Sequence, residues 1–119
     1  MTINLKLQER DYYHRVLNII HPLTPFYKLQ PKEIQVLALM LYFDVQAENR
    51  GLTKQERTSL LFSYDSKMNI CNILNMSDVR YRNILTSLRR KTFVTKEGLG
   101  EVTNIIRKPE DITFKISIT

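Results

Sequence analysis

Three glycines and two histidines set narrow limits on the chemistry open to this chain. A phosphate-cradling loop needs several glycines at fixed spacing, and no G-x-x-x-x-G-K-[ST] or related run occurs. His14 and His21 lie away from any cysteine or carboxylate cluster at ligand spacing, so they read as surface or capping residues. No Ser, His and Asp fall in a nucleophile motif, and Glu110 and Asp111 are adjacent turn residues rather than a catalytic pair. The one cysteine, Cys71, has no internal partner; beside Ile70 it reads as a small buried hydrophobe in a reducing compartment. No apolar run approaches the length of a membrane span, and MTINLKLQERDYY has no signal-peptide core. The expectation is a cytoplasmic protein that is not an enzyme, with no cofactor, metal, small-molecule ligand or membrane partner.

What is present is a folded composition and a localised charge. With 119 residues, 43% hydrophobic and only four prolines, the chain is expected to form a single, helix-leaning domain over residues 1–119. The net charge is +6. Lys67, Arg80, Arg82, Arg89, Arg90, Lys91 and Lys96 face Asp78 alone within residues 67–96, and the rest of the chain is neutral in sum. A field of one sign attracts a polyanion and speeds its association. An acidic protein would answer to the same field.

That basic stretch, Ser66–Lys96, is the core of the reading. It predicts a helix over about Lys67–Leu74, a turn at Asn75-Met76-Ser77, a second helix over about Asp78–Lys91, and a strand. Asn75 tolerates the left-handed conformation that ends a helix; Ser77 is a good N-cap, and Asp78 suits the positive end of the dipole. At about 100° per residue, Tyr81, Ile84, Leu85 and Leu88 share a core-facing stripe. Val79, Asn83, Thr86 and Arg90 form the opposite crest, flanked by Arg82 and Arg89 on one side and by Arg80, Ser87 and Lys91 on the other. A crest of small and amide side chains between basic flanks suits a DNA groove, where the middle meets base edges and the sides meet phosphates. A solvated basic helix face is the plainer alternative. The candidate DNA-binding residues are Ser77, Val79, Arg80, Arg82, Asn83, Thr86, Ser87, Arg89, Arg90, Lys91 and Lys96.

The segment ICNILNMSDVRYRNILTSLRRKTFV resembles the helix-turn-helix of winged-helix regulators, whose usual form is an A/I-x-x-L-G-V-S turn, a recognition helix and a basic-apolar exit. Leu74, Met76, Ser77, Tyr81, Leu85, Leu88, Lys91, Phe93 and Val94 fall on matching positions without a gap. Asn75 replaces the usual turn glycine and Thr92 the usual glycine after the recognition helix, which puts that exit turn in question. The resemblance implies a mainly α (α+β) winged helix-turn-helix fold with a small antiparallel sheet, or wing, and a central apolar helix. Short phage-encoded winged-helix proteins are similar.

The remaining chain is read around this core. Residues 1–29 form an N-terminal extension: a strand at Ile3–Leu7, a helix over Glu9–Ile20 with Tyr13, Val16, Leu17 and Ile20 on one face, and a stiff connector from Pro22 to Leu29 anchored by Phe26 and Tyr27. The longest helix, about Pro31–Ala47, is apolar nearly all round, which marks a central core helix; an apolar face offered to a second copy is the less favoured alternative. Thr53-Lys54-Gln55-Glu56 is a capping box opening a helix to about Phe62 that buries Leu60, Leu61 and Phe62. Ser63-Tyr64-Asp65 reads as a turn, with Asp65 or Ser66 capping the next helix, whose apolar set is Met68, Ile70, Ile73 and Leu74. Residues 92–119 carry a strand at Thr92–Lys96, a glycine-bearing turn at 97–101 whose Glu97 and Glu101 suit phosphate poorly, a returning strand at Val102–Ile106, a turn at Pro109-Glu110-Asp111 and a last strand at Ile112–Ile118.

Three functions fit these expectations. The first is sequence-specific binding of double-stranded DNA by a small phage or bacterial transcriptional regulator, as a homodimer on a palindrome. The second is a DNA-packaging or replication accessory of the small-terminase type, assembled as a higher oligomer. The third is a winged helix used for protein interaction or virion assembly without DNA. Oligomeric state separates the first two, and duplex binding separates both from the third.

Overall fold

The computed structural model describes residues 9–23 and 25–107. The strands expected at Ile3–Leu7 and Ile112–Ile118 and the turn at Pro109-Glu110-Asp111 lie outside the described residues. Within them the protein is mainly helical with one two-stranded antiparallel sheet. The order is α1 (Glu9–Ile20), a 3-10 turn (Phe26–Lys28), α2 (Pro31–Asn49), α3 (Lys54–Leu61), α4 (Tyr64–Leu74), α5 (Asp78–Arg90), β1 (Val94–Thr95), β2 (Gly98–Leu99), a second 3-10 turn (Glu101–Thr103) and a short α6 (Asn104–Arg107).

α2 is the hub. α1, α3, α4 and α5 all pack on it, so Val36, Leu37, Met40 and Leu41 are completely enclosed. Such all-round apolarity is what a helix needs when partners cover every side. Pro31 occupies its first turn, where a missing N–H costs nothing, and Gln30 and Glu33 form a reciprocal capping box. α1 contributes Tyr13, Val16 and Leu17 from one face, as its spacing predicts. The exit of α5 closes the core: Phe93 is fully buried and lies against Phe26, with ring centroids 5.7 Å apart. Among the described residues no helix is long and apolar enough to cross a membrane.

The structure corrects four local expectations. α4 begins at Tyr64, not near Lys67, because Ser63 is its N-cap: the Ser63 hydroxyl accepts from the Ser66 amide. The supposed turn residues Tyr64 and Asp65 are therefore helical. Leu60 is 42% exposed and Phe62 only half-buried, leaving Leu61 as the residue α3 buries; three consecutive helical residues fan over too wide an arc to share one face. On α4, Ile70 and Cys71 are buried while Ile73 is 38% exposed. The fourth correction is the largest. The returning strand is Gly98–Leu99, and Val102–Ile106 is helical.

The hairpin is short because its turn is tight. Val94 pairs with Leu99 and Thr95 with Gly98, so only Lys96 and Glu97 lie between the strands, and Gly98 takes φ +117° to close the turn. The Gly100 amide continues the ladder to the Phe93 carbonyl at 2.8 Å. A side chain at Gly100 would meet the Thr92 carbonyl oxygen at 2.2 Å, so glycine is required there by close approach rather than by φ. Thr103 then donates to the Gly100 carbonyl at 2.6 Å and turns the chain into α6. α6 is held by Arg107, which pairs with the buried Asp44 and with Glu48 of α2, while Arg57 of α3 pairs with the other Asp44 oxygen at 3.4 Å.

Candidate nucleic-acid interface

The turn before α5 is built by two residues acting as the sequence predicts. Asn75 takes the left-handed conformation (φ +52°, ψ +54°), and the Met76 amide bonds back to the Cys71 carbonyl at 2.9 Å, satisfying the end of α4. Ser77 caps α5, its hydroxyl accepting from the Arg80 amide at 3.1 Å. Asp78 binds Lys67 of α4 at 2.7 Å and Arg82 of its own helix at 3.1 Å. The Lys67 hydrogen bond, assisted by Arg82, holds the Asp78 carboxyl below its ordinary range. Thus the one acid in the basic stretch locks α4 to α5.

The inward stripe of α5 follows the expected spacing, with Tyr81, Ile84 and Leu88 buried and Leu85 packed at the edge of the core. Burial raises the pKa of the Tyr81 phenol, and burial together with the Asp78 charge raises that of the Cys71 thiol. Cys71 therefore stays protonated and unreactive near neutral pH.

The outward crest is exposed throughout: Val79, Asn83, Thr86 and Arg90 all face away from the core. Val79 is 58% exposed although the opposite face of the helix is packed into the core. The Thr86 hydroxyl donates to the Arg82 carbonyl at 2.9 Å. On the first flank Arg82 is 65% exposed, and the Arg89 guanidinium stands 5.2 Å from the centre of the Phe62 ring, which fixes it against the α3–α4 junction. Arg80, Arg90 and Lys96 are exposed and have no ion-pair partner among the described residues. Lys96 sits in the hairpin turn, which is tied to α3 by the Thr58 hydroxyl donating to the Glu97 carbonyl at 2.7 Å.

The second flank is not as the sequence implies. Ser87 and Lys91 turn inward to Glu33 of α2, a carboxylate only 5% exposed. Ser87 donates to one Glu33 oxygen; Lys91 Nζ donates to the other at 2.7 Å, as does the Gln30 amide. Burial, the largest single influence, would raise the Glu33 pKa, but these donors together hold it below the ordinary 4.5. Both side chains are committed to a buried ionic anchor between α2 and α5 and leave the set of free phosphate ligands. Helical spacing alone places Ser87 and Lys91 on the border between surface and core, and only the position of α2 decides which way they turn.

Two residues absent from the sequence-level set matter here. Glu33 was legible as a capping residue but not as the partner of side chains more than fifty positions away. Thr92 has φ +68°, so the exit turn takes a conformation that favours glycine although a β-branched residue occupies it. Among the described residues no group of three or more His, Cys, Asp or Glu side chains is placed to hold a metal ion. No family model, curated protein or solved structure matches the chain.

Proposed function

We propose that the protein binds double-stranded DNA sequence-specifically, with α5 as a recognition helix in the major groove, and acts as a small transcriptional regulator of the winged-helix type. One observation carries the reading. The exposed face of α5 presents a crest of Val79, Asn83, Thr86 and Arg90 beside arginines that the fold has left facing solvent, while its other face is locked into the core. Two helices joined at a left-handed Asn75 and followed by a hairpin, with Lys96 at the tip, support the same reading.

The chemistry follows from residue type. The Asn83 amide matches the two-point edge of adenine, and Arg90 matches guanine; Val79 offers a methyl-sized contact such as thymine accepts. Arg80, Arg82, Arg89 and Lys96 serve as phosphate contacts. With these four engaged, affinity falls with salt on a log–log slope of about −3.6, at about −0.9 per phosphate.

The test is a binding selection from random duplex, run on wild type and on Asn83→Ala, with anisotropy titrations across salt. Asn83→Ala is expected to cost about 1–3 kcal/mol on the selected site and much less on random duplex. Identical preferences from both proteins, or no preference from either, would remove Asn83 from base readout. A protein that binds no duplex at low salt would make the exposed Val79 and its basic surround a protein-binding face instead.

A further inference from the structure

The withdrawal of Ser87 and Lys91 leaves the two sides of α5 unequal. A helix in the major groove has a phosphate backbone on each wall. One wall would meet Arg82 and Arg89. The other would meet Arg80 near the start of α5 and nothing from α5 near its end, because Lys91 is bound to Glu33. Yet the same Lys91 ammonium also donates to the backbone carbonyl of Lys28 at 2.7 Å. That bond brings a separate element, the 3-10 turn Phe26–Lys28, to the side of α5 that has lost its cations.

The turn is firmly held. Phe26 is 4% exposed and packs on Phe93, Leu29 is 2% exposed, and His21 hydrogen-bonds the Leu29 carbonyl at 2.8 Å. Between these inward anchors Tyr27 and Lys28 point outward. Tyr27 is 54% exposed, and the Lys28 ammonium stands 6.0 Å from the centre of its ring, with no carboxylate partner among the described residues. The acid nearest in the network, Glu33, is already engaged by Lys91, Ser87 and the Gln30 amide.

We propose that Lys28 is a phosphate contact for double-stranded DNA, positioned by the Lys91 bond at the end of α5 and serving the wall that Ser87 and Lys91 do not reach. The assignment rests on the reading of α5 as the recognition helix. Lys91 is then a positioning residue: it carries no phosphate itself but holds in place the turn that does.

The test compares salt slopes for duplex binding of wild type, Lys28→Ala, Lys28→Glu, Arg89→Ala and Arg50→Ala. Arg50 lies at the other end of α2, about 28 Å away at 1.5 Å per residue, and controls for a general loss of positive charge. Lys28→Ala keeps the backbone carbonyl that Lys91 uses, so its circular dichroism and melting are expected to match wild type. Its slope should flatten by about 0.9, with an affinity loss of about eight-fold at 0.1 M salt. Lys28→Glu should lose more, and Arg50→Ala should be unchanged. A wild-type slope for Lys28→Ala beside a flattened one for Arg89→Ala would overturn this assignment and leave the recognition helix standing. Equal effects at Lys28 and Arg50 would also overturn it, since only the overall field would then be at work. No duplex binding by wild type would bring down both.

Discussion

Replacing Thr92 by glycine is expected to stabilise the protein. Thr92 follows the cap of α5 with φ +68°, a conformation in which the Cβ of an L-residue crowds the neighbouring carbonyl. The penalty for such a residue is about 1–2 kcal/mol. Glycine removes it but adds about 0.5–1 kcal/mol of chain entropy in the unfolded state. The other loss is small, since the Thr92 hydroxyl contacts only the adjacent Lys91 carbonyl, at 2.6 Å on an exposed site. No core packing changes, because the side chain is exposed. The net gain is about 0.5–1 kcal/mol, or roughly 2–4 °C in melting temperature for a domain of this size. Urea denaturation at constant m-value measures it. Thr92→Ala keeps the Cβ and is the control, expected to recover little of the gain. If Thr92→Gly is less stable than wild type, or alanine stabilises as much as glycine, strain at this turn is not what the backbone angle indicates.

Lys91→Met removes the cation from the buried Glu33 and should cost about 2–3 kcal/mol in urea denaturation, less than a fully buried pair because the lysine retains some exposure; Glu33→Gln in the same background should recover part of it. The pH dependence of Glu33 has a definite sign. Its folded pKa lies below the ordinary 4.5, so the stabilisation is fully present above about pH 5 and is lost as pH falls through 4.5 toward the folded value. A urea midpoint series from pH 6 to pH 3 should accordingly show a shallower acid limb in Glu33→Gln than in wild type. Gly100→Ala places a methyl group against the Thr92 carbonyl and should cost about 2–4 kcal/mol, whereas Gly51→Ala, with open space but φ +91°, should cost only about 1–2 kcal/mol, both by thermal melting.

Much of the helical framework was legible in the residue order because its determinants are local. The Thr53–Glu56 capping box, Pro31 in the first turn of α2, Asn75 as a left-handed terminator and Ser77 as a cap each act within a few bonds of themselves. The stripe of Tyr81, Ile84 and Leu88 and the enclosed surface of α2 follow from helical periodicity, which needs no knowledge of the partners. The concentration of charge between Lys67 and Lys96 likewise belongs to the sequence alone.

Tertiary structure decided what happens where those elements meet. Whether Ser63 ends one helix or begins the next depends on where α3 must deliver the chain, because serine serves either role. The β-branched residues of Val102–Ile106 suit a strand, but the tight turn at Lys96-Glu97 and the contact of Gly100 with the Thr92 carbonyl end the hairpin after two pairs, and the same residues become helical. Helical spacing puts Ser87 and Lys91 on the border between surface and core and does not say which way they turn. Their direction was set by Glu33, a buried carboxylate whose desolvation is tolerable only with donors on both oxygens, and the close packing of α2 on α5 supplies them.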